Sequence, residues 1–215
     1  MRIPATATAG SLRQSMVDQQ LRRRGIADER VLRAMAAVPR EAFVPTRLVT
    51  EAYADRALPI GHGQTISQPF IVARTCELAS IAPEATVLEL GSGSGYQAAV
   101  LGELCRHVVT IECIAELAAR AARNLESIGQ RRVQVVTGDG RQGYPALAPY
   151  AAIVVAAAAP AVPPALIEQL AQGGRLVMPV GARGLQSLIV MHKGEERLTE
   201  TSYDPCVFVP LVGQD

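Results

Sequence analysis

The four cysteines of this 215-residue sequence, Cys76, Cys105, Cys113 and Cys206, form no C-x-x-C pair and have no histidine at metal-ligand spacing. Neither a zinc site nor a redox couple is indicated, and such scattered cysteines read as buried free thiols in a reducing compartment. No apolar run approaches the roughly 20 residues that span a bilayer, and the first residues lack the basic start and continuous apolar stretch of a secretion signal. The expectation is a cytoplasmic protein with no membrane partner and no bound metal. An excess of one charge is lacking too: 21 lysines and arginines face 20 aspartates and glutamates, a net +1. That balance removes the global electrostatic case for nucleic acid, and no aromatics cluster beside basic residues. The basic triplet at residues 22–24 is either a phosphate patch or a solvated helix face, and Asp28 and Glu29 just after it favour the second. Internal repeats and low-complexity linkers are absent as well.

What is present is apolar: 49% of the residues are hydrophobic. A chain of this length can bury roughly 70% of its unfolded surface as one α/β unit. Residues 1–14 read as a flexible tail and residues 15–215 as a single domain, with N-terminal helices and a loop over 15–82 and an alternating core over 83–215. Apolar residues at three- and four-residue steps predict helices over 15–21 and 28–38, the second capped by Asp28 and stopped by Pro39. Residues 43–69 carry Pro45, Pro59, Gly61, Gly63 and Pro69 and cannot hold a long helix, yet the stretch is too long for an idle loop. A helix follows Pro69 through residue 81. Strands are then predicted at 87–90, 108–111, 133–136, 153–157 and 176–180, with helices at 97–105, 115–128 and 164–170. Short apolar strands alternating with helices imply a parallel sheet covered on both faces. Past Gly181 two strands, 188–191 and 207–212, lack a helix between them and predict an antiparallel edge.

The segment VLELGSGSGY, residues 87–96, is the most informative part of the core. An apolar strand runs into Gly91, Ser92, Gly93, Ser94 and Gly95, glycines that let the backbone turn sharply and approach a ligand closely. About 20 residues further on, the next strand ends in Glu112, an acid able to accept two hydrogen bonds from ribose hydroxyls. Glu89 and Asp139 supply further acids at or near the C-terminal ends of strands, where open α/β sheets place their ligands. Each feature alone has a plain alternative: glycine-rich strand–helix turns are common, Glu112 could cap a helix, and Asp139 between Gly138 and Gly140 could be an Asx-turn residue. All three together, at the ends of successive strands, indicate an adenosine-containing cofactor. A dinucleotide fingerprint needs G-x-G-x-x-G, and Tyr96 stands where its third glycine belongs, which argues against NAD. G-x-G-x-G after an acidic strand resembles the loop of S-adenosyl-L-methionine-dependent methyltransferases. The expected fold is therefore α/β, a Rossmann-like doubly wound, mostly parallel sheet of that methyltransferase type, with an N-terminal helical extension and an antiparallel C-terminal edge. In it Glu112 takes the ribose and Asp139 accepts from the adenine amino group, with Glu89, Gly91, Ser92, Gly93, Gly95 and Gly140 completing the cofactor set.

The stretch LPIGHGQTISQPF, residues 58–70, resembles the signature loop of the protein-L-isoaspartate(D-aspartate) O-methyltransferase family. VPREAFVP (38–45), YADRAL (53–58), GDGRQGYP (138–145), PPALIEQL (163–170), GGRLVMPVG (173–181) and FVPLVG (208–213) resemble it too, in order, over nearly the whole chain after residue 14. The resemblance implies methyl transfer from S-adenosyl-L-methionine to the α-carboxyl of L-isoaspartyl residues in damaged proteins and peptides, leaving S-adenosyl-L-homocysteine. The ester then closes to a succinimide, and repeated cycles restore some normal aspartate. It also implies that Ser67 orients the reacting carboxylate as a hydrogen-bond donor, that Thr65, Ile66 and Ser67 line the methionine end of the cofactor, and that Ile66 and Val209 meet the substrate. Ser67 has an alternative use as the N-cap of the helix near Pro69. His62, between Gly61 and Gly63, is expected to be structural. The small-residue stretch at 156–160 resembles the family's edge beside the cofactor, whereas Ala54 and Ala151 stand where the family usually carries acids, which points to altered stability or loop anchoring. The expected state is a monomer. Two rivals remain at this point: another adenosylmethionine-dependent enzyme acting on a small molecule or RNA, and a cofactor-binding adaptor that has lost catalysis.

Overall fold

Nine strands and six α-helices make up the computed structural model, which describes residues 8–182 and 184–211. The first helix, α1 (Ala9–Met16), begins earlier than the apolar periodicity suggests, because the Thr8 hydroxyl caps it by accepting from the Ser11 amide at 3.2 Å. Helix therefore replaces the expected tail from residue 9 onward, and the rest of that tail, residues 1–7, lies outside the described residues. The chain continues through a π-helical stretch (Val17–Leu21) into α2 (Glu29–Ala37). Asp28 caps α2 as expected, accepting from the Arg30 amide at 2.8 Å, and Val31, Leu32 and Met35 form its buried stripe.

The proline- and glycine-rich stretch becomes two 3-10 turns (Arg40–Phe43 and Thr46–Glu51) and a small hairpin, β1 (Leu58–Gly61) and β2 (Gln64–Ile66). Its tight turn needs left-handed backbone at both central residues, and His62 (φ 53°) and Gly63 (φ 70°) supply it. Helix α3 (Pro69–Ala79) then leads to the core, in which β3 (Thr86–Leu90), α4 (Tyr96–Leu104), β4 (His107–Glu112), α5 (Ala115–Ser127) and β5 (Val133–Thr137) alternate. After two 3-10 turns come β6 (Tyr150–Val155), α6 (Pro164–Glu168), β7 (Leu170–Ala182), β8 (Leu185–Lys193) and β9 (Leu198–Cys206).

Seven strands form one sheet in the order β5-β4-β3-β6-β7-β8-β9, with β1 and β2 a separate pair. Pairing is parallel from β5 to β7 and antiparallel for β7–β8 and β8–β9. The strand order reverses at β3, so the crevice between the C-terminal ends of β3 and β6 is the switch point where open α/β sheets bind ligands. Side chains alternate across the sheet: Val87, Val108, Ala152 and Val154 join the core shared with the N-terminal helices, and Leu88, Val109, Ile153 and Leu176 join a second core on the opposite face. Burial on both faces is why β3 and β4 are mostly apolar, broken only by the terminal residues and by Glu89 and Thr110, which hydrogen-bond each other.

The last strand differs from expectation. It is β9, with the polar sequence LTETSYDPC, whereas residues 207–211 form no regular strand and residue 212 lies outside the described residues. β9 is an edge strand whose side chains are mostly exposed, so it carries little apolar signal. Residues 209–211 are held by Ala158 instead, whose amide donates to the Val209 carbonyl at 2.8 Å and whose carbonyl accepts from the Leu211 amide at 2.7 Å. Of the cysteines, Cys76 and Cys105 are buried free thiols, but Cys113 and Cys206 are partly exposed. Among the described residues no helix is long and apolar enough to cross a membrane, and no cluster of metal-ligating side chains occurs.

Candidate active site

At the switch point the glycine loop turns sharply, with Gly91, Gly93 and Gly95 at φ 90°, 52° and 89°. The Gly91 and Ser92 amides donate to the Ile111 carbonyl at 2.8 and 3.3 Å, tying the loop across to the end of β4. There Glu112, 6% exposed, accepts from the Gly93 amide on Oε2 at 2.8 Å and from the Ile114 amide on Oε1 at 3.1 Å. The Cys113 thiol also donates to Oε1, at 3.6 Å, so of about four acceptor sites Glu112 uses two for the backbone and one for this weak donor and keeps capacity for a ligand.

Beneath the loop runs a second chain of polar contacts. The Ser92 and Thr110 hydroxyls lie 2.7 Å apart, and Thr110 donates to Glu89 Oε2 at 2.5 Å. Glu89 has no exposed surface, and that burial pushes its carboxyl up to about 8, with the Thr110 hydrogen bond pulling the other way. It supports the loop from below and does not reach the crevice, a correction to its expected place among the cofactor contacts. Gly95 and Asp139 are likewise not among the residues that line the first cavity. A Cβ on Gly95 would come within 3.3 Å of the Cα, Cβ and carbonyl of Ala121, so this glycine serves the packing of α4 on α5. The Asp139 carboxylate accepts from the Arg141 amide at 2.9 Å and pairs with its guanidinium at 2.7 Å, contacts that hold its pKa below the usual range. Gly140, next to it, does line the crevice.

Two adjoining cavities open here. The first is a narrow crevice with about 70 Å³ of room, lined by Gly91, Ser92, Gly93, Glu112, Gly140 and Ile66 among others. The second, about 630 Å³ on the same measure, lies between the start of α3 and residues 184–187 and 205–209. Thr65, Ser67, Ala156 and Val209 line both, so they form the wall between them. Ser67 is half-buried and its hydroxyl has no hydrogen-bond partner among the described residues. The N-cap of α3 is Gln68, without a side-chain bond, so Ser67 is not spent on capping. His62 sits exposed in the hairpin turn, away from both cavities.

Sequence reasoning missed Tyr96, Gln97 and Cys113, which also line the first cavity. Cys113 follows the strand-end acid and Tyr96 follows the last loop glycine, so position alone would have flagged both. Gln97 carries no such signal. Its side chain is buried against Glu89 and, like Thr110, pulls the Glu89 carboxyl down by hydrogen bonding.

A family model described as protein-L-isoaspartate(D-aspartate) O-methyltransferase matches residues 11–215. The chain belongs to this family. Protein-L-isoaspartate O-methyltransferases of Koribacter versatilis and Methanoculleus marisnigri are 57% and 54% identical to it, each over 94% of this chain and over 90% and 92% of their own lengths. Among solved structures, a protein-L-isoaspartate O-methyltransferase superposes with a TM-score of 0.85 at 28% identity, covering 93% of this chain and 66% of that one. A Plasmodium falciparum chain described as a candidate member of the same family, in complex with S-adenosyl-L-homocysteine, shares the fold with a TM-score of 0.83 at 23% identity, covering 94% of this chain and 99% of its own. The isoaspartate methyltransferase family thus accounts for the loop at residues 58–70 and for the ordered series of shorter blocks.

Proposed function

We propose that this chain methylates the α-carboxyl of L-isoaspartyl residues in proteins and peptides, using S-adenosyl-L-methionine held in the first cavity and the isoaspartyl residue in the second. The observation that carries the reading is the unpartnered hydroxyl of Ser67 on the wall between two cavities, one of which backs onto the glycine loop and Glu112. The residues present fit the cofactor: Glu112, fixed by backbone amides at the crevice, has acceptor capacity left for a ribose hydroxyl, and the glycine loop presents bare backbone beside it. A side chain at Gly91 would need a rarely adopted φ and would stand 3.5 Å from Ala156, closing space that bare backbone leaves open.

When bound, S-adenosyl-L-methionine supplies a methyl on a sulfonium, an activated leaving group, to a carboxylate that is already a nucleophile near neutral pH. The chain therefore needs no strong general base. Its residues have to align and to exclude water. Ser67 orients the carboxylate by donating to one oxygen, and Thr65, Ala156 and Val209 fix the angle of approach. Alignment of this kind can lower a barrier by up to about 7 to 11 kcal/mol. Ile66, Val72 and Tyr96, at most 4% exposed, keep that wall dry, which favours a step in which opposite charges cancel. Asp139 acts by capping the turn that presents Gly140. After release, the ester closes to a succinimide without help from the chain, and hydrolysis returns part of it to normal aspartate.

The balanced charge supports protein substrates over nucleic acid, and the core shared by residues 16–190 supports one catalytic domain, which we take to act as a monomer in the cytoplasm. Purified protein is expected to place a base-labile methyl ester on an isoaspartyl peptide and leave the normal aspartyl twin unlabelled. Equal labelling of both would reject the specificity.

A further inference from the structure

Arg40 is the largest fully buried side chain of the molecule, and it carries a full charge. Its Nε donates to the Ala52 carbonyl and its Nη2 to the Ser67 carbonyl, each at 2.7 Å, and its guanidinium carbon lies 4.7 Å from the centre of the Tyr96 ring. Nη1 is buried and has no partner among the described residues. No carboxylate there pairs with it. Glu41, the next residue, is engaged by the Tyr53 phenol, and Glu89 is engaged by Thr110. Buried charges are ordinarily paired, because leaving a cation without a counter-charge in a dry interior is costly. Two of the groups Arg40 touches, Tyr96 and Ser67, are themselves cavity wall, so the unmatched charge is held against the back of that wall.

We propose that Arg40 is a positioning residue for the substrate carboxylate: it anchors Ser67 through that residue's carbonyl, and its charge, held at the backbone of the same residue, offsets that of the incoming isoaspartyl group. The inference rests on the role assigned to Ser67 above. Attraction across a buried wall is screened far less than at the surface. The acceptor carboxylate is charged on binding and loses its charge as the ester forms. The pull of Arg40 therefore acts on substrate binding more than on turnover.

Two variants separate this from a structural role. Arg40→Met removes the charge and its donors at similar length, and Arg40→Lys keeps the charge and a donor. Each is assayed for KM and kcat with an isoaspartyl peptide, for inhibition by the same peptide carrying an α-carboxamide, and by calorimetry with S-adenosyl-L-homocysteine. Arg40→Met is expected to raise the peptide KM about ten- to a hundredfold, the range for losing a charge-assisted partner. It should lower kcat less, leave the affinity for S-adenosyl-L-homocysteine unchanged, and abolish the preference for carboxylate over carboxamide. Arg40→Lys should restore most of KM and of that preference. A folded Arg40→Met with unchanged KM, or one in which KM and S-adenosyl-L-homocysteine affinity worsen together, overturns the proposal. Should Arg40→Met fail to fold, Arg40→Lys decides: retained carboxylate preference supports the charge role, and its loss with normal S-adenosyl-L-homocysteine binding refutes it. Wild-type protein that does not label the isoaspartyl peptide at all would instead remove the function proposed above.

Discussion

Two side chains that line the first cavity, Glu112 and Ser67, divide the work, and their removal separates cofactor binding from turnover. Glu112 is locked by two backbone amides, so the lone pairs it has left are held in place before any ligand arrives. Glu112→Ala is expected to weaken S-adenosyl-L-homocysteine binding by about 1.5 to 3 kcal/mol, the range for hydrogen bonds to a charged group. Calorimetry reads this directly, and an unchanged dissociation constant would contradict the ribose role. Ser67→Ala deletes a hydroxyl that no neighbour uses, so it should leave thermal stability and S-adenosyl-L-homocysteine affinity intact while turnover falls at least about tenfold, as for loss of a positioned donor. A Ser67→Ala protein that melts early would return the residue to a structural part.

Among the elements, the glycine loop joins β3 to α4 through three positive-φ residues whose reasons differ. Gly91 leaves room at the crevice, and Gly95 lets α4 lie against Ala121. Gly95→Ala adds a Cβ 3.3 Å from Ala121 atoms on top of an unfavourable φ, and is expected to cost about 2 to 4 kcal/mol, strain and overpacking together. Gly129 also has positive φ, at 71°, but nothing within 4 Å of its Cβ position, so Gly129→Ala bears the backbone strain alone. Urea midpoints of the two variants should differ by that packing contribution, and equal midpoints would show that Ala121 yields freely.

The same elements show how far the sequence could be read. Strands β3 to β6 and helices α2 to α5 announced themselves because each is apolar on the faces it buries, and the hairpin loop was legible as a block. Helix α1 was not, since its apolar content is low and its start depends on the Thr8 hydroxyl. Strand β9 was invisible for a related reason, being an exposed edge. At the site, strand-end acids and loop glycines marked the right place, but not which of them face inward. Glu89 and Gly95 occupy motif positions and serve the scaffold, and the Asp139 carboxylate accepts from Arg141, a neighbour two residues away.

For the molecule as a whole, Glu89 links stability to pH. Its folded-state value of about 8 lies above the ordinary 4.5, so the folded chain holds a proton that the unfolded chain has released between those limits. The stabilisation is complete below about 4.5 and is lost as pH rises through about 8. Glu89→Gln keeps an acceptor for Thr110 and cannot ionise, so urea midpoints of wild type and variant should diverge as pH climbs across that window, wild type falling. Parallel curves would show that Glu89 ionises without cost.

The two sides of the sheet are clad unequally. One carries α3, α4 and α5 with the N-terminal helices packed around them, and the other has the five residues of α6 and a strap of short turns over residues 140–147. That strap is pinned by Gln169, whose amide bonds the Tyr144 nitrogen at 2.7 Å and the Gln142 carbonyl at 2.8 Å, and it brings Gly140 to the cavity. Breathing of the domain accordingly begins on the thin side, in openings that expose the strap's amides to solvent deuterium while the thick layer stays shut. Because Gly140 touches the donor's berth, a seated ligand quietens those excursions, and the strap is where occupancy is felt beyond the berth itself.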